Sequence, residues 1–178
     1  MRIITGIARG RKLSALEGRD VRPTTDRVKE ALFDILQFRV EGRRFLDMFA
    51  GSGQIALEAL SRGAESAVLI DISKQSAKVA EQNASHTQLD TQAKIVCADA
   101  LAYVSSTMET FDIAFLDPPY HSELLLPAIE KVQRCIAEKG MIICEHLKET
   151  VLPDTVGDFV KQKTYRYGKI FLTRYERS

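Results

Sequence analysis

The sequence predicts an α/β protein built on a mostly parallel sheet, and three observations carry that expectation. Short apolar runs alternate with helical stretches from residue 43 onward. Four of those runs are followed closely by an acid, at Asp47, Asp71, Asp99 and Asp117. The runs are continuous rather than alternating, which is the pattern of strands covered on both faces in βαβ units.

Each element has its own signal. Arg2 to Ala15 alternates short β-branched runs with Gly6 and Gly10 and reads as a small β-hairpin. Pro23 breaks the chain. A helix follows from Thr25, with Val28, Ala31, Leu32, Ile35 and Leu36 on one stripe, Thr25 as its cap and Asp26 at the positive end of its dipole. Phe45 to Phe49 reads as a strand, residues 50–53 (AGSG) as a turn, and Ile55 to Arg62 as a helix stopped at Gly63. Ala67 to Ile70 is the second strand, and Ser73 caps a helix reaching about Asn83. Ala93 to Cys97 and Asp112 to Leu116 are further strands, Leu124 to Ala137 a helix, and Met141 to Cys144 the fifth strand. Phe159 to Tyr165 and Lys169 to Tyr175 form a strand pair turned near Gly168, which adds an antiparallel strand to the end of the sheet. The expected division is an N-terminal basic hairpin and helix over residues 1–40 and a sheet domain over 41–178.

At 178 residues, 45% hydrophobic and 28% charged, the chain is expected to be one soluble globular unit. No apolar run approaches the ~20 residues of a membrane span, and glycines and arginines stand where the apolar core of a signal peptide would be. Cys97, Cys135 and Cys144 lack CxxC spacing, and His86, His121 and His146 are scattered, so no disulfide framework or metal site is expected. A reducing cytoplasm is the economical location. The net charge of +1 conceals a segregation: +5 over residues 1–29, −9 over 30–160 and +5 over 161–178. Basic ends of this kind suit a polyanionic partner.

In an open α/β sheet the ligand lies beyond the carboxyl ends of the strands, and acids in register there point to a nucleotide-like ligand. Gly51 and Gly53 supply a tight turn without a Cβ where the ligand approaches. The spacing is compatible with a dinucleotide, but Asp47 would repel a pyrophosphate and would attract an ammonium or sulfonium group. Asp71 stands 18 residues after Gly53, near the spacing at which an acid takes ribose hydroxyls. Asp99 can accept from an adenine amino group while the Ala100 N–H donates to the ring. Asp117-Pro118-Pro119-Tyr120 is the most informative stretch. Two prolines directly after a buried strand end its ladder and leave the Pro118 carbonyl without a local donor. An exocyclic amino group can then give one N–H to Asp117 and one to the Pro118 carbonyl, its ring stacked on Tyr120, so that the nitrogen lone pair turns toward an electrophile.

The glycine loop with DPPY resembles S-adenosylmethionine-dependent amino-methyltransferases. More narrowly, RIITGIARGRKL, RPTTDRVKEALFDIL, LDMFAGSGQIALEALSRGAESAVLID and FDIAFLDPPY together resemble the RsmD family, whose members methylate the N2 amino group of a guanine in small-subunit ribosomal RNA. The resemblance implies a Rossmann-like class I methyltransferase fold, a seven-stranded mostly parallel sheet with a C-terminal antiparallel strand. It implies Asp47, Phe49, Gly51 and Gly53 at the methionine end of S-adenosylmethionine, Asp71 and its neighbour Ile72 at the ribose, Asp99 and Ala100 at the adenine, and Asp117, Pro118, Pro119 and Tyr120 around the guanine. Arg2, Arg9, Arg11, Lys12, Arg22 and Arg27 would contact RNA, within an assembled or assembling small subunit, through phosphates. The chain departs from the family pattern at Asp71, where Glu is more frequent, and at Gln54-Ile55, where smaller residues are common. Methylation of another base or of an amide, and an inactive RNA-binding assembly factor, remain alternatives.

Overall fold

The computed structural model describes residues 1–16, 25–120 and 122–178. Its elements are α1 (Asp26–Ile35), β1 (Arg44–Asp47), α2 (Gln54–Ser61), β2 (Ser66–Asp71), α3 (Lys74–Thr87), β3 (Ala93–Cys97), α4 (Ala100–Ser106), β4 (Phe111–Leu116), α5 (Leu125–Val132), a 3-10 turn at Gln133–Cys135, β5 (Ile136–Leu147), β6 (Thr155–Val156), β7 (Phe159–Tyr167) and β8 (Ile170–Arg177). They form one sheet in the order β3-β2-β1-β4-β5-β8-β7-β6. β1 to β5 are mutually parallel, and β8 enters antiparallel beside β5. This is the fold expected of the sequence, extended by the two-residue edge strand β6.

Alternating side chains send the sheet's apolar residues to two cores. On one face Phe45, Leu69, Ile113 and Phe115 pack with α1, α2 and α3. On the other, Leu46, Val68, Ile70, Ala114 and Leu116 pack with α4 and α5. A continuous apolar run is therefore what each central strand needs. The order turns back between β1 and β4, and that reversal opens a crevice at their carboxyl ends.

The N-terminal hairpin is formed, closed by Ile3 N donating to Arg11 O at 3.0 Å, Gly10 N to Ile3 O at 2.9 Å and Leu13 N to Met1 O at 3.0 Å. Only one antiparallel bridge, Arg2 with Lys12, is present among the described residues. The donors between the hairpin's two arms go to α2 instead. Glu58 accepts from Ile4 N at 2.8 Å and Thr5 N at 2.9 Å, Ser61 O accepts from Ile7 N at 2.9 Å, and Ser61 Oγ accepts from Ala8 N at 3.0 Å. Gly6 is required here: at φ +88° its missing Cβ would fall 1.7 Å from Ser61 O. Ile3, Ala8 and Leu13 join the same core as α1 and α2. Glu58 is fully buried and holds Arg62 Nε at 2.8 Å, with the buried Lys29 ammonium 3.9 Å away. Lys29 in turn donates to Arg2 O at 2.6 Å. Burial lowers the Lys29 pKa, against the pull of Glu58 and Asp26.

Other differences are local. Thr25 caps α1 as expected, accepting from Val28 N at 3.3 Å, and Ser73 caps α3. α3 runs to Thr87 rather than about Asn83. The helix expected to reach Ala137 ends at Val132, because Ile136 is already paired with Phe111 of β4. α4 has no counterpart among the expected elements, its seven residues being too few for a visible stripe.

Candidate active site

A cavity of about 680 Å3 opens at the carboxyl edge of β1, β2, β3 and β4. Of the residues expected to hold a cofactor or substrate, Asp47, Phe49, Gly51, Asp71, Ile72, Asp99, Ala100, Asp117, Pro118, Pro119 and Tyr120 line it. Gly53 does not. It begins α2 at φ +81°, and a Cβ there would lie 2.9 Å from Leu69 Cδ2 and 3.3 Å from Ala80 Cβ. Its hydrogen lets α2 sit close to β2 and α3, a packing role. Gly51, at φ +54°, faces open space: a Cβ there would meet only Leu16 Cδ1, at 3.7 Å, among the described residues.

Asp71 shapes the loop before it meets any ligand. Its Oδ2 accepts from Gly51 N at 2.9 Å and its Oδ1 from Ser73 N at 2.8 Å. A carboxylate offers about four lone-pair sites, so both oxygens can still accept from a diol. Asp99 is the N-cap of α4, accepting from Ala102 N at 2.7 Å. Ile72 is exposed at the rim.

Asp47 ends β1 only 1% exposed. Its Oδ1 has no partner among the described residues. Burial pushes its pKa up to about 7, opposed by hydrogen bonds from the Phe49 and Ala56 backbone and helped by the Asp71 charge. Asp117 is also pushed well above the carboxylate range, first by burial, then by Glu145 and Asp47. A site that crowds three acids around an unpartnered oxygen suits a cationic ligand.

The strand β4 delivers Asp117 and the diproline to the rim. Ser122 N donates to the Pro119 carbonyl at 3.2 Å, whereas no backbone N–H of the described residues donates to the Pro118 carbonyl. Tyr120 donates its hydroxyl to Glu145 Oε1 at 2.8 Å. Glu145 belongs to the site, and sequence reasoning misses it. A carboxylate inside the buried run Met141 to His146 is the available signal. Met1, Ala15 and Leu16 escape as well, since only the fold brings the N-terminal segment to the cavity wall. Asn83 fastens that segment, accepting from Ser14 N at 2.8 Å and donating to Ser14 O and Ser52 O.

The basic residues expected to meet RNA are less uniform. Arg9, Lys12 and Arg27 are exposed. Arg2 lies 4.0 Å from Asp26. Arg11 is engaged with His86 O at 3.0 Å and Gln88 Oε1 at 2.9 Å. Arg22 lies outside the described residues.

The family profile described as Conserved hypothetical protein 95 matches residues 1–176. The chain belongs to this family, the RsmD family. Among curated relatives, Ribosomal RNA small subunit methyltransferase D of Escherichia coli is 33% identical over 179 residues, covering 99% of this chain and 90% of that protein. The protein of the same name from Haemophilus influenzae is 39% identical over 132 residues, covering 72% and 68%. The solved structure of Escherichia coli yhhF matches with TM-score 0.89 at 33% identity, covering 100% of this chain and 98% of that one. An RNA methyltransferase from Salinibacter ruber, solved with S-adenosyl-L-homocysteine, shares the fold at 15% identity and TM-score 0.68, covering 86% and 92%. The fold of this RsmD family member is therefore that of the class I methyltransferases, and the chain is a methyltransferase.

Proposed function

We propose that this protein transfers a methyl group from S-adenosylmethionine to the N2 amino group of a guanine in small-subunit ribosomal RNA. One observation supports the reading above the rest: a single cavity joins the acidic ends of β1 and β2 to the Asp117–Tyr120 loop. The residues fit the cofactor, because the unpartnered Asp47 Oδ1 stands buried where a cationic group would satisfy it. When bound, S-adenosylmethionine supplies an electrophilic methyl group. Asp47 faces its positive charge, Asp71 takes the ribose hydroxyls while keeping Gly51 in place, and the rim around Asp99 and Ala100 takes the adenine.

On the substrate side, Asp117 accepts one amino N–H and the Pro118 carbonyl accepts the other. Both prolines fix that carbonyl's direction. The nitrogen lone pair is thereby turned out of the conjugated ring toward the methyl group. Ionised, Asp117 is the stronger acceptor and is placed to hold the proton that the nitrogen releases. Tyr120 offers its ring as a stacking wall, held by Glu145. No covalent enzyme intermediate is needed, and positioning with electrostatics carries the rate.

The name shared by the Escherichia coli and Haemophilus influenzae relatives supports ribosomal RNA as substrate. Residues 1–40 would act as the RNA-facing appendage of a catalytic domain over 41–178, with Arg9, Lys12 and Arg27 free for phosphates. The cavity has room for one extruded base, and phosphate contacts carry almost no sequence information. The exposed guanine is thus best presented by an assembled or partly assembled subunit. Supplying methyl-labelled cofactor with subunits or with protein-free RNA at matched salt tests this. Faster labelling of subunits is expected, and equal rates would contradict it.

A further inference from the structure

The C-terminal hairpin stands on the same edge of the sheet as the cavity. Leu116 of β4 pairs with Cys144 of β5, while Leu147, three residues further along β5, pairs with Ile170 at the start of β8. The turn between β7 and β8 therefore projects about 10 Å beyond the level of Leu116, taking roughly 3.3 Å per residue. It is displaced from β4 by two to three strand spacings, about 10–14 Å sideways. It forms a raised shoulder beside the rim that carries Asp117.

The cations of this hairpin divide along its length. At the end remote from the cavity Lys161 meets Asp154 at 2.7 Å and Arg177 meets Asp158 at 3.4 Å, and midway along β8 Arg174 lies 3.6 Å from Glu176. Lys163, opposite Arg174, and Arg166 and Lys169, nearer the turn, are exposed and make no ion pair among the described residues. Lys163 lies 4.8 Å above the Tyr165 ring. Tyr165 and Tyr167 pack against the same core as Tyr120 and Leu147. β6 covers only Phe159 and Val160, leaving the rest of β7 as a sheet edge. Lysines on an edge strand guard against pairing with other chains, which accounts for Lys163. It does not account for Lys169, which stands in the turn.

We propose that the β7–β8 turn is a second RNA-backbone contact, in which Lys163, Arg166 and Lys169 take phosphates flanking the nucleotide seated in the cavity. The inference rests on the reading of RNA as substrate and adds a surface that reading did not include. A nucleotide held in the cavity sends its neighbouring phosphates over the rim, and this shoulder is the raised basic ground next to Asp117.

The test compares the full chain with two triple variants, Lys163→Gln/Arg166→Gln/Lys169→Gln and the remote control Lys78→Gln/Lys131→Gln/Lys139→Gln. Binding of a fluorescein-labelled 20-nucleotide single-stranded RNA is measured across a salt series, beside S-adenosylmethionine binding and thermal melting. The hairpin variant should lose about tenfold in affinity at low salt and about 2 from the slope of log K against log salt, near 0.7 per phosphate for a single strand. The control should change far less, and cofactor binding should stay within twofold in both. Equal losses in the two variants would overturn the proposal by showing a net-charge effect. Unchanged RNA affinity in the hairpin variant, with or without new aggregation, would overturn it in favour of edge protection. A full chain that binds cofactor but no RNA at low salt would instead defeat the substrate reading itself.

Discussion

The Tyr120 hydroxyl donates to Glu145 Oε1 at 2.8 Å, so the aromatic wall of the cavity is held by the neighbouring strand rather than by its own loop. Replacing Glu145 by Ala should release the ring and slow methyl transfer by about tenfold to a hundredfold, the effect of losing a hydrogen bond to a charged group, about 1.5–3 kcal/mol. Cofactor affinity, measured by calorimetry, should be unchanged. Glu145→Gln keeps an acceptor and should retain more activity. It also removes a negative charge that raises the Asp117 pKa, so the acid limb of its pH–rate profile should move to lower pH.

Asp117→Ala should slow transfer at least about a hundredfold while leaving cofactor affinity within a few-fold. The carboxylate meets the amine and not the nucleoside, and a hydrogen bond made chiefly in the transition state is worth at least ~3 kcal/mol, roughly a hundredfold in rate. Single-turnover kinetics with saturating cofactor is the measurement, and near-normal turnover would remove Asp117 from the mechanism.

Asp71→Ala should weaken S-adenosylmethionine binding by at least about 1.5–3 kcal/mol. The loss has two parts, because the variant removes a ribose acceptor and also unfastens Gly51 N and Ser73 N. Calorimetry on a variant checked for folding decides it, and an unchanged dissociation constant would place the ribose elsewhere.

Asp47 gives a pH prediction with a definite sign. Its pKa rises from 3.8 to about 7 in the folded protein, so the folded state binds more protons than the unfolded state between those values. The contribution of Asp47 to the stability of the ligand-free protein should fall as pH rises from about 4 to about 7 and then level off. Affinity for the cationic cofactor should run the other way, weakening as pH drops below 7 and Asp47 is protonated. Asp47→Asn should raise the melting temperature at pH 8 and flatten both trends. Retention of the wild-type pH trends by that variant would rule out Asp47 as their source.

Glu58→Ala should cost about 3–5 kcal/mol in urea denaturation, since it removes the buried carboxylate that Arg62 and Lys29 share. It should also loosen residues 1–13, read as faster amide exchange at Ile4 and Thr5, whose N–H groups it holds. The same linkage changes how the N-terminal cations are probed. Deleting residues 1–20 would remove Ile3, Ala8 and Leu13 from the core, so neutralising Arg9, Lys12 and Arg27 is the cleaner test of RNA contact.

The sheet is legible because its strands are buried on both faces and read as unbroken apolar runs. The site is legible because the fold gathers strand ends, and the acids at Asp47, Asp71 and Asp117 can be placed there from spacing alone. What escapes depends on long-range partners. Glu58 is 54 positions from Ile4 in sequence, and nothing local shows that its carboxylate takes the donors of Ile4 and Thr5. Gly53 and Gly51 look alike in sequence, and only the packing of Leu69 and Ala80 shows which one faces a helix and which a cavity. Glu145 looks like one more charge until β5 carries it beside Tyr120.

The central claim is transfer to guanine N2. It is tested most directly by incubating the protein with S-adenosylmethionine labelled in its methyl group and small ribosomal subunits lacking the modification, then digesting the RNA to nucleosides. Label should appear in N2-methylguanosine alone, and at least about a hundredfold more slowly with Asp117→Ala. Label in another nucleoside or in ribosomal protein, or no transfer from a protein that binds the cofactor, would contradict the claim.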